Sequence, residues 1–581
     1  MEGLLGDDFM TKDPFQKFKE EVSSAVAGAL KELKVETPMV LDRPPAGMGD
    51  LSFPCFPLSK KLKKSPDAIA KDIASRIKPH GMIEKVETNG GYVNFRVSFE
   101  KLAQTSIDDA LAKKGRFGAS EHGTAKILVE HTSVNPTGPM HVGRARNPII
   151  GDTLARILRQ AGYDVATEFY VNDVGRQVVV MSWGVKHLKL DAEPERDKDD
   201  YRYVLYYQQA NKLLEEKPEL VGEVDEMLYK LEHGDHATVN LVRESCQKVL
   251  SAIVGSLGRM NVRVDVFTWE SKFVADKSVE KIIAKLKDSE FSRELDGANY
   301  LELESFGISG RETKWFFTRA DGTSVYTTRD LAYHMDKFSR SDVAINILGE
   351  DHKLAMQQLS AALSIIGVER KPEIVYYAFV SLPEGKMSTR RGRVVNLDDL
   401  IDEAVDRALQ EVKKRRTDLT EERMKEIANT VGIGALRYNI ARIQAEKQIV
   451  FKWEDALNFE GSSAPFVQYA HARACSILAK AGEWERRFDS KQLVNDNEKE
   501  LAKMIASFPS VIAECAEDRK THLLAVFVQD LAAQFNQFYR FVPVLKSEGA
   551  ARDSRLALVE ASMWTLKNAL NCLGLEGPEE M

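Results

Sequence analysis

Two short motifs carry residues that could do chemistry. Pro139-Met140-His141-Val142-Gly143-Arg144 stands between a short apolar run, AKILVEHTS (125–133), and an amphipathic one, HVGRARNPIIGDTLARILRQAG. A strand, a Pro/Gly loop and a helix in that order would aim first-turn amides at an anion. Gly143 lets a ligand approach the backbone. His141 and Arg144, three apart, can both face a phosphate. Such a site suits a nucleotide and would stabilise the charge that builds when a carboxylate attacks an α-phosphate. On the residues alone, a His and an Arg on an ordinary helix remain the alternative. The second motif is Lys386-Met387-Ser388-Thr389-Arg390 in LPEGKMSTRRGR. Two cations flanking small polar residues suit a clamp on the β- and γ-phosphates of ATP, engaged mainly in the transition state. A solvated basic loop is its alternative.

The chain around these motifs has 581 residues, 43% hydrophobic and 29% charged. That excludes a largely disordered or collagen-like chain. No apolar run approaches the ~18–20 residues of a membrane helix, and the first residues lack a signal-peptide plan. Cys55, Cys246, Cys475, Cys515 and Cys572 are scattered without a CxxC pair, which argues against a disulfide framework or a zinc knuckle. A reducing, cytoplasmic setting is expected. A net charge of −7 disfavours indiscriminate coating of nucleic acid but permits a local RNA-binding face.

The fold class expected is α/β, with a parallel-sheet core between an α+β block and an all-α tail. Residues 1–121 open with helical spacing at Phe15, Phe18, Val22, Ala25, Ala29 and Leu30. Two helices separated near Ser65-Pro66 and a strand at 91–98 follow. Lys60, Lys61, Lys63 and Lys64 form a basic patch or a solvated helix face. Residues 122–420 hold a β-α-β unit, then a helical insertion at about 178–262, then parallel strands at AINILGEDH and EIVYYAFVSL. KWFFTRADGTSVYTT alternates on both sides of Asp321-Gly322 and predicts a hairpin. Residues 421–581 carry helical stripes joined by short loops, as a bundle requires.

Both motifs, in this order and on this scaffold, resemble the class I aminoacyl-tRNA synthetases with their Rossmann-like core. Longer strings resemble the arginyl branch: EHTSVNPTGPMHVGRARNPIIGD, FYVNDVGRQ, VYTTRDLAYH, QYAHARACSIL, and GDLSFPCFPLSKKLKK with GYVNF in the first block. HVGRARNPIIGD is similar to archaeal versions. The resemblance covers nearly the whole chain. It implies ATP-dependent activation of L-arginine to an adenylate, then transfer to the 3′ end of tRNA(Arg), supplying arginine for translation.

It further implies that Glu130, Tyr326 and Asp330 hold the arginine side chain, while Ser133 and Asn135 orient its amino and carboxyl groups. The chemistry fits, because a guanidinium prefers carboxylate partners. Without the resemblance, Asp330 could merely cap a helix and Glu130 could sit in a structural ion pair. His141, Gly143, Arg144, Lys386, Met387, Ser388 and Arg390 are the expected catalytic set. Gly349, Asp351 and His352, after a parallel strand, join His141, Gly143, Arg144 and Lys386 as expected ATP contacts. Asn172, Asp173 and Gln177 match a family string without an assignable role, and Glu270 is a further acidic candidate. Expected tRNA contacts are Lys60, Lys61, Lys64 and Asn94 at the elbow. On the tail they are Arg437, Gln468, Tyr469, Arg473 and Tyr539, with Tyr438, His471 and Asn536 on the same base-stacking face. A mixture of core aromatics and solvated polar residues is the alternative for that face.

Two departures stand out. The usual HIGH signature ends in His where this chain has Arg144, and the second lysine of the KMSKS loop is Arg390; both substitutions keep a cation. Magnesium is expected only on the ATP phosphates, with no protein-held metal. The family expectation is a monomer that needs tRNA before it activates arginine. Three rivals remain: a class I enzyme for another amino acid, a non-catalytic tRNA-binding paralogue, and a small nucleotidyltransferase.

Overall fold

The computed structural model describes residues 14–42, 44–45, 47–119, 125–381, 395–458 and 461–581. Lys386, Met387, Ser388, Thr389 and Arg390 therefore lie outside the described residues. In the first block, apolar spacing makes the helix Pro14–Glu32, which buries Phe18, Val22, Val26, Ala29 and Leu30. A three-stranded antiparallel sheet shares that core, with Tyr92–Val97 between Leu51–Pro54 and Ile83–Asn89. Ser65 caps the helix Pro66–Arg76 by accepting from Ala68 N at 3.3 Å, and Pro66 begins it.

The central sheet has five parallel strands: β1 (Lys126–Glu130), β2 (Asp164–Val171), β3 (Val266–Trp269), β4 (Val343–Gly349) and β5 (Glu373–Tyr377). Their order is β5-β4-β1-β2-β3. The chain winds one way from β1 to β3 and the other way through β4 and β5. The switch point therefore falls between β1 and β4, where open α/β sheets place ligands. Alternate side chains serve two cores. Ile127, Val129, Phe169, Val171, Ile345 and Ile347 face one, while Tyr170, Leu348 and Ile374 pack on the other. The β1–β2 crossover is helix α1 (Arg146–Gln160), preceded by a 3₁₀ turn at Val142–Arg144. Four helices between Arg176 and Arg259 form the insertion.

The hairpin expectation fails on its second arm. Lys314–Phe316 is a strand, paired with Ala298–Glu302, but beyond Asp321-Gly322 only Thr318 and Ser324 form a bridge. Tyr326 instead opens helix α2 (Tyr326–Arg340), which buries Leu331, Ala332, Tyr333 and Lys337. Helical spacing from Thr328 onward overrides the short alternation before it.

Helix α3 (Leu397–Arg415) leads into the tail, whose long helices are α4 (Glu421–Ala441), α5 (Ala464–Ala481), α6 (Asp496–Asp518), α7 (Thr521–Phe541) and α8 (Gly549–Cys572). Arg146 of α1 ties it to the sheet. Its guanidinium donates to the carbonyl oxygens of Ala378 (2.7 Å), Ile443 (3.2 Å), Gln444 (2.7 Å) and Lys447 (2.6 Å). Val380–Ser381 then pairs with Ile449–Val450. Among the described residues, no helix is long and apolar enough to cross a membrane.

Candidate active site

The C-terminal end of β1 turns through Thr132 (φ 73°) and Ser133 (φ 38°), both in the left-handed region without a glycine. A β-branched residue there is strained and persists only where its surroundings over-determine it. They do. Thr132 N donates to Asn147 Oδ1 at 2.6 Å, and Asn147 Nδ2 donates to Ile347 O of β4 at 2.8 Å. Tyr170 N of β2 donates to Ser133 Oγ at 3.0 Å, and that hydroxyl donates to Glu130 Oε1 at 2.9 Å. The turn is thus bolted to β2, β4 and α1 at once. Beneath it His131 is buried, and burial pushes its imidazole down to about 4, so it stays neutral. A side chain at Gly151 of α1 would collide with His131, so glycine there lets the helix lie close on the strand end.

His141 caps the 3₁₀ turn. Its Nδ1 accepts from Gly143 N at 3.0 Å, which places the proton of the neutral ring on Nε2. Its main chain is clamped from the other side: Val142 N donates to Val395 O at 3.1 Å and Leu397 N to Met140 O at 2.8 Å. Asn396, bridged to His141, starts α3 with a capping box to Asp399. The acids at that N-terminus are gripped by the helical insertion. Lys198 reaches Asp398 at 2.7 Å, Arg259 reaches Asp398 at 3.2 Å, and Arg196 reaches Asp399 at 2.7 Å and Asp402 at 2.6 Å. Sequence reasoning missed this anchor, because no local spacing joins residues two hundred positions apart. Arg144, the last residue of the turn, is exposed.

Helix α2 presents Tyr326, 71% exposed, and Asp330 one turn further on. Burial raises the Asp330 carboxyl, but His334, Lys337 and His352 together hold it below the usual range. Glu130 is buried and ion-paired to Lys337 of the same helix. Gly349 ends β4. A Cβ there would overlap the Asp351 carboxylate and come within 3.1 Å of the Phe379 ring, so a larger residue would displace the Asp351 side chain. Asp351 and the half-buried His352 follow it, 3.9 Å apart. Asn135 Nδ2 donates to Gln177 Oε1 at 2.9 Å, bringing together two positions singled out separately.

Glu270 is taken up by structure. It is buried against Arg329, and burial pushes its carboxyl up against the pull of that guanidinium. Asn172, with its amide nitrogen facing Glu270, donates to Oε2 at 2.7 Å. Asp173 is buried and accepts from Ser271 N at 2.8 Å and Ser271 Oγ at 2.6 Å. These three hold the β2–β3 ends together.

The expected RNA contacts divide. Lys60, Lys61, Lys63 and Lys64 are exposed, although Lys61 donates to Glu36 O at 2.6 Å and Lys64 pairs with Asp72 at 2.9 Å. Tyr469 and Tyr539 are 44% and 47% exposed, and Arg473 lies between their rings at 4.5 and 4.7 Å while bonding Asn536. Arg437 and Gln468 must be withdrawn. Both are fully buried, Arg437 on main-chain carbonyls and Asp152, Gln468 on Thr430 O and Glu576 O. Tyr438 and His471 are buried with them, and Asn94 is 5% exposed within the first block's sheet. A buried side chain cannot stack on or bond a base in this conformation.

Parallel sheet, switch-point site and helical tail define a class I aminoacyl-tRNA synthetase. Residues 106–453 match the family model described as tRNA synthetases class I (R), catalytic domain. Residues 467–581 match the DALR anticodon binding domain, and 16–97 the arginyl tRNA synthetase N terminal domain. Arginine--tRNA ligase of Methanocella arvoryzae is 49% identical over 528 residues, 90% of this chain and 92% of that protein. The protein of that name from Methanothermobacter thermautotrophicus is 43% identical, covering 98% of this chain and 100% of its own. The solved Thermus thermophilus arginyl-tRNA synthetase superposes with a TM-score of 0.83 at 30% identity, covering 97% of this chain and 100% of that one. The chain belongs to the arginyl-tRNA synthetases, ligases that join arginine to tRNA.

Proposed function

We propose that the clamped turn at His141, with Gly143 and Arg144, binds the ATP phosphates, and that Glu130, Ser133, Asn135, Tyr326 and Asp330 hold L-arginine. The observation that carries this reading is that Glu130 ends β1 at the sheet's switch point and pairs with Lys337 of α2, the helix that also carries Asp330. The arginine carboxylate attacks the α-phosphate and pyrophosphate leaves; a hydroxyl at the 3′ end of tRNA(Arg) then attacks the adenylate's carbonyl carbon, and AMP leaves. No protein nucleophile is needed, so the site positions the reactants and offsets charge. Magnesium enters with the ATP substrate. Gly349, Asp351 and His352 line the side toward β4, where adenosine or ribose would lie. Lys386, Met387, Ser388 and Arg390 belong to the same reaction by their match to the family loop. The chain works as a cytoplasmic monomer, with residues 1–121 at the tRNA elbow, 122–420 catalytic and 421–581 at the anticodon.

The test is arginine-dependent pyrophosphate exchange with and without tRNA(Arg), with lysine and glutamine as competitors. Exchange with arginine alone would remove the tRNA requirement; no exchange under either condition would overturn the catalytic reading. Asp330→Asn is expected to raise the arginine KM by about 10- to 100-fold while the ATP KM holds, as loss of a charged hydrogen-bond partner implies. An unchanged arginine KM would remove Asp330 from the pocket.

On the tail, the Tyr469–Arg473–Tyr539 stack is the surviving base-stacking face. Arg473→Ala is expected to weaken tRNA(Arg) binding by about tenfold in a filter-binding titration, the scale of one lost base stack. Unaltered affinity would move the contact elsewhere.

A further inference from the structure

Glu130 and Asp330 come from different elements, a strand end and a helix, yet one buried hydrogen-bonded chain joins them. Lys337 is 0% exposed, and its ammonium contacts Glu130 Oε2. The same ammonium donates to Asn346 Oδ1 at 2.9 Å and lies 4.1 Å from the Tyr333 ring centroid. Asn346 stands opposite Glu130 in the β1–β4 ladder. Its Nδ2 is 2.8 Å from His334 Nε2. His334 Nδ1 in turn lies 2.9 Å from Asp330 O and 3.2 Å from Asp330 Oδ1.

The donor inventory fixes every proton along this chain. An ammonium only donates, so the Asn346 oxygen must face Lys337 and its nitrogen must face His334. His334 Nε2 must then accept, which leaves the ring proton on Nδ1, where it points at Asp330. One cation therefore compensates Glu130 and sets which way His334 donates. Asp330, His334 and Lys337 share a face of α2 at four- and three-residue spacing, so a rigid helix carries the arrangement.

We propose that Lys337 is the positioning residue of the arginine pocket: its ammonium holds Glu130 directly and Asp330 through Asn346 and His334. The proposal rests on the reading of Glu130 and Asp330 as the arginine-binding carboxylates. Lys337 does not touch substrate. It fixes two acceptors in place before a planar guanidinium arrives, which lowers the ordering cost of binding.

The experiment is steady-state pyrophosphate exchange with the full chain and saturating tRNA(Arg), for five variants beside the unmodified protein. Lys337→Met, which keeps the stem's volume over Tyr333, is expected to raise the arginine KM by about 10- to 100-fold with the ATP KM and kcat within about threefold. In a Glu130→Gln background the same change is expected to cost less than about threefold further, because its main partner is already neutral. Asn346→Leu leaves the Lys337–Glu130 pair intact and cuts only the Asp330 limb. It is expected to raise the arginine KM by about three- to tenfold, and it serves as the test should Lys337→Met not fold. Equal costs in both backgrounds, or arginine and ATP KM rising together, would make Lys337 a purely structural lysine and overturn the proposal. An inert Asn346→Leu would overturn the Asp330 limb. Asp330→Asn, the fifth variant, separates the two failures. If it raises the arginine KM while Lys337→Met does not, only this proposal falls; if it too is silent, the pocket reading falls.

Discussion

His141→Ala is expected to slow arginine-dependent pyrophosphate exchange by about 100- to 1,000-fold, the cost of removing one preorganised donor from a transition state. The arginine KM should stay nearly constant, since the ring caps the turn assigned to the ATP phosphates. Geometry makes the donor specific. Nδ1 is occupied by Gly143 N at 3.0 Å, so the neutral ring carries its proton on Nε2. The main chain on either side is held by residues 395–397, whose helix is gripped in turn by Arg196, Lys198 and Arg259. Little reorganisation remains for the reaction to drive, which is the condition under which such a donor contributes most. His141→Gln, whose amide nitrogen reaches the Nε2 position, should recover about tenfold of the loss. An alanine variant within a few-fold of the unmodified rate, or a defect confined to arginine binding, would assign the nucleotide contact to other residues.

The elements around that histidine were legible in the sequence because their signals are local. Apolar runs bounded by turns marked β1, β2, β4 and β5, and amphipathic spacing marked α1 and the tail. What failed was competition between two local signals. Alternation at 314–328 predicted a second hairpin arm, and the helix beginning at Tyr326 won because it buries Leu331 and Tyr333. The motif residues themselves could be named, but not what holds them. Thr132 and Ser133 adopt positive φ without a glycine to announce it, since Asn147, Tyr170 and Ile347 impose the turn from three other elements. Lys337 reads as one more lysine on a charged helix until the β1–β4 pairing sets Glu130 beside it. A cation on an amphipathic helix is equally compatible with an RNA face and with a cluster of buried carbonyls. Only tertiary partners decide, and they decide oppositely for Arg473 and Arg437.

Arg437→Met should loosen the seam between the sheet domain and the tail rather than weaken RNA binding. The guanidinium donates to Leu573 O at 3.0 Å, Met260 O at 2.7 Å, Asn261 O at 3.2 Å and Asp152 Oδ2 at 2.6 Å. One α4 side chain thus joins α1, the end of the helical insertion and the turn after α8. Gly574 (φ 70°) makes room for it, since a side chain there would overlap the guanidinium. Methionine fills the volume but removes the donor from Leu573 O and Met260 O, and leaves Asn261 O to Arg156 (2.8 Å) and Asp152 to Arg156 (2.7 Å) and Arg263 N (3.4 Å). Breaking a buried pair by removing one partner costs about 3–5 kcal/mol. Hydrogen exchange should therefore accelerate at Met260, Asn261, Leu573 and Gly574 before it does in the first block's sheet. The deficit should also depend on pH. Burial raises the Asp152 carboxyl, but Arg437 and Arg156 more than offset it and hold the group below its ordinary value. That stabilisation is present above the unfolded aspartate value and is lost as pH falls through the folded one. The variant should accordingly differ most from the unmodified chain at neutral pH and converge with it in acid. Because the guanidinium has no surface to offer a base, tRNA(Arg) affinity of the folded variant should be unchanged. Weaker tRNA binding with exchange at the seam unaltered would return Arg437 to the RNA face.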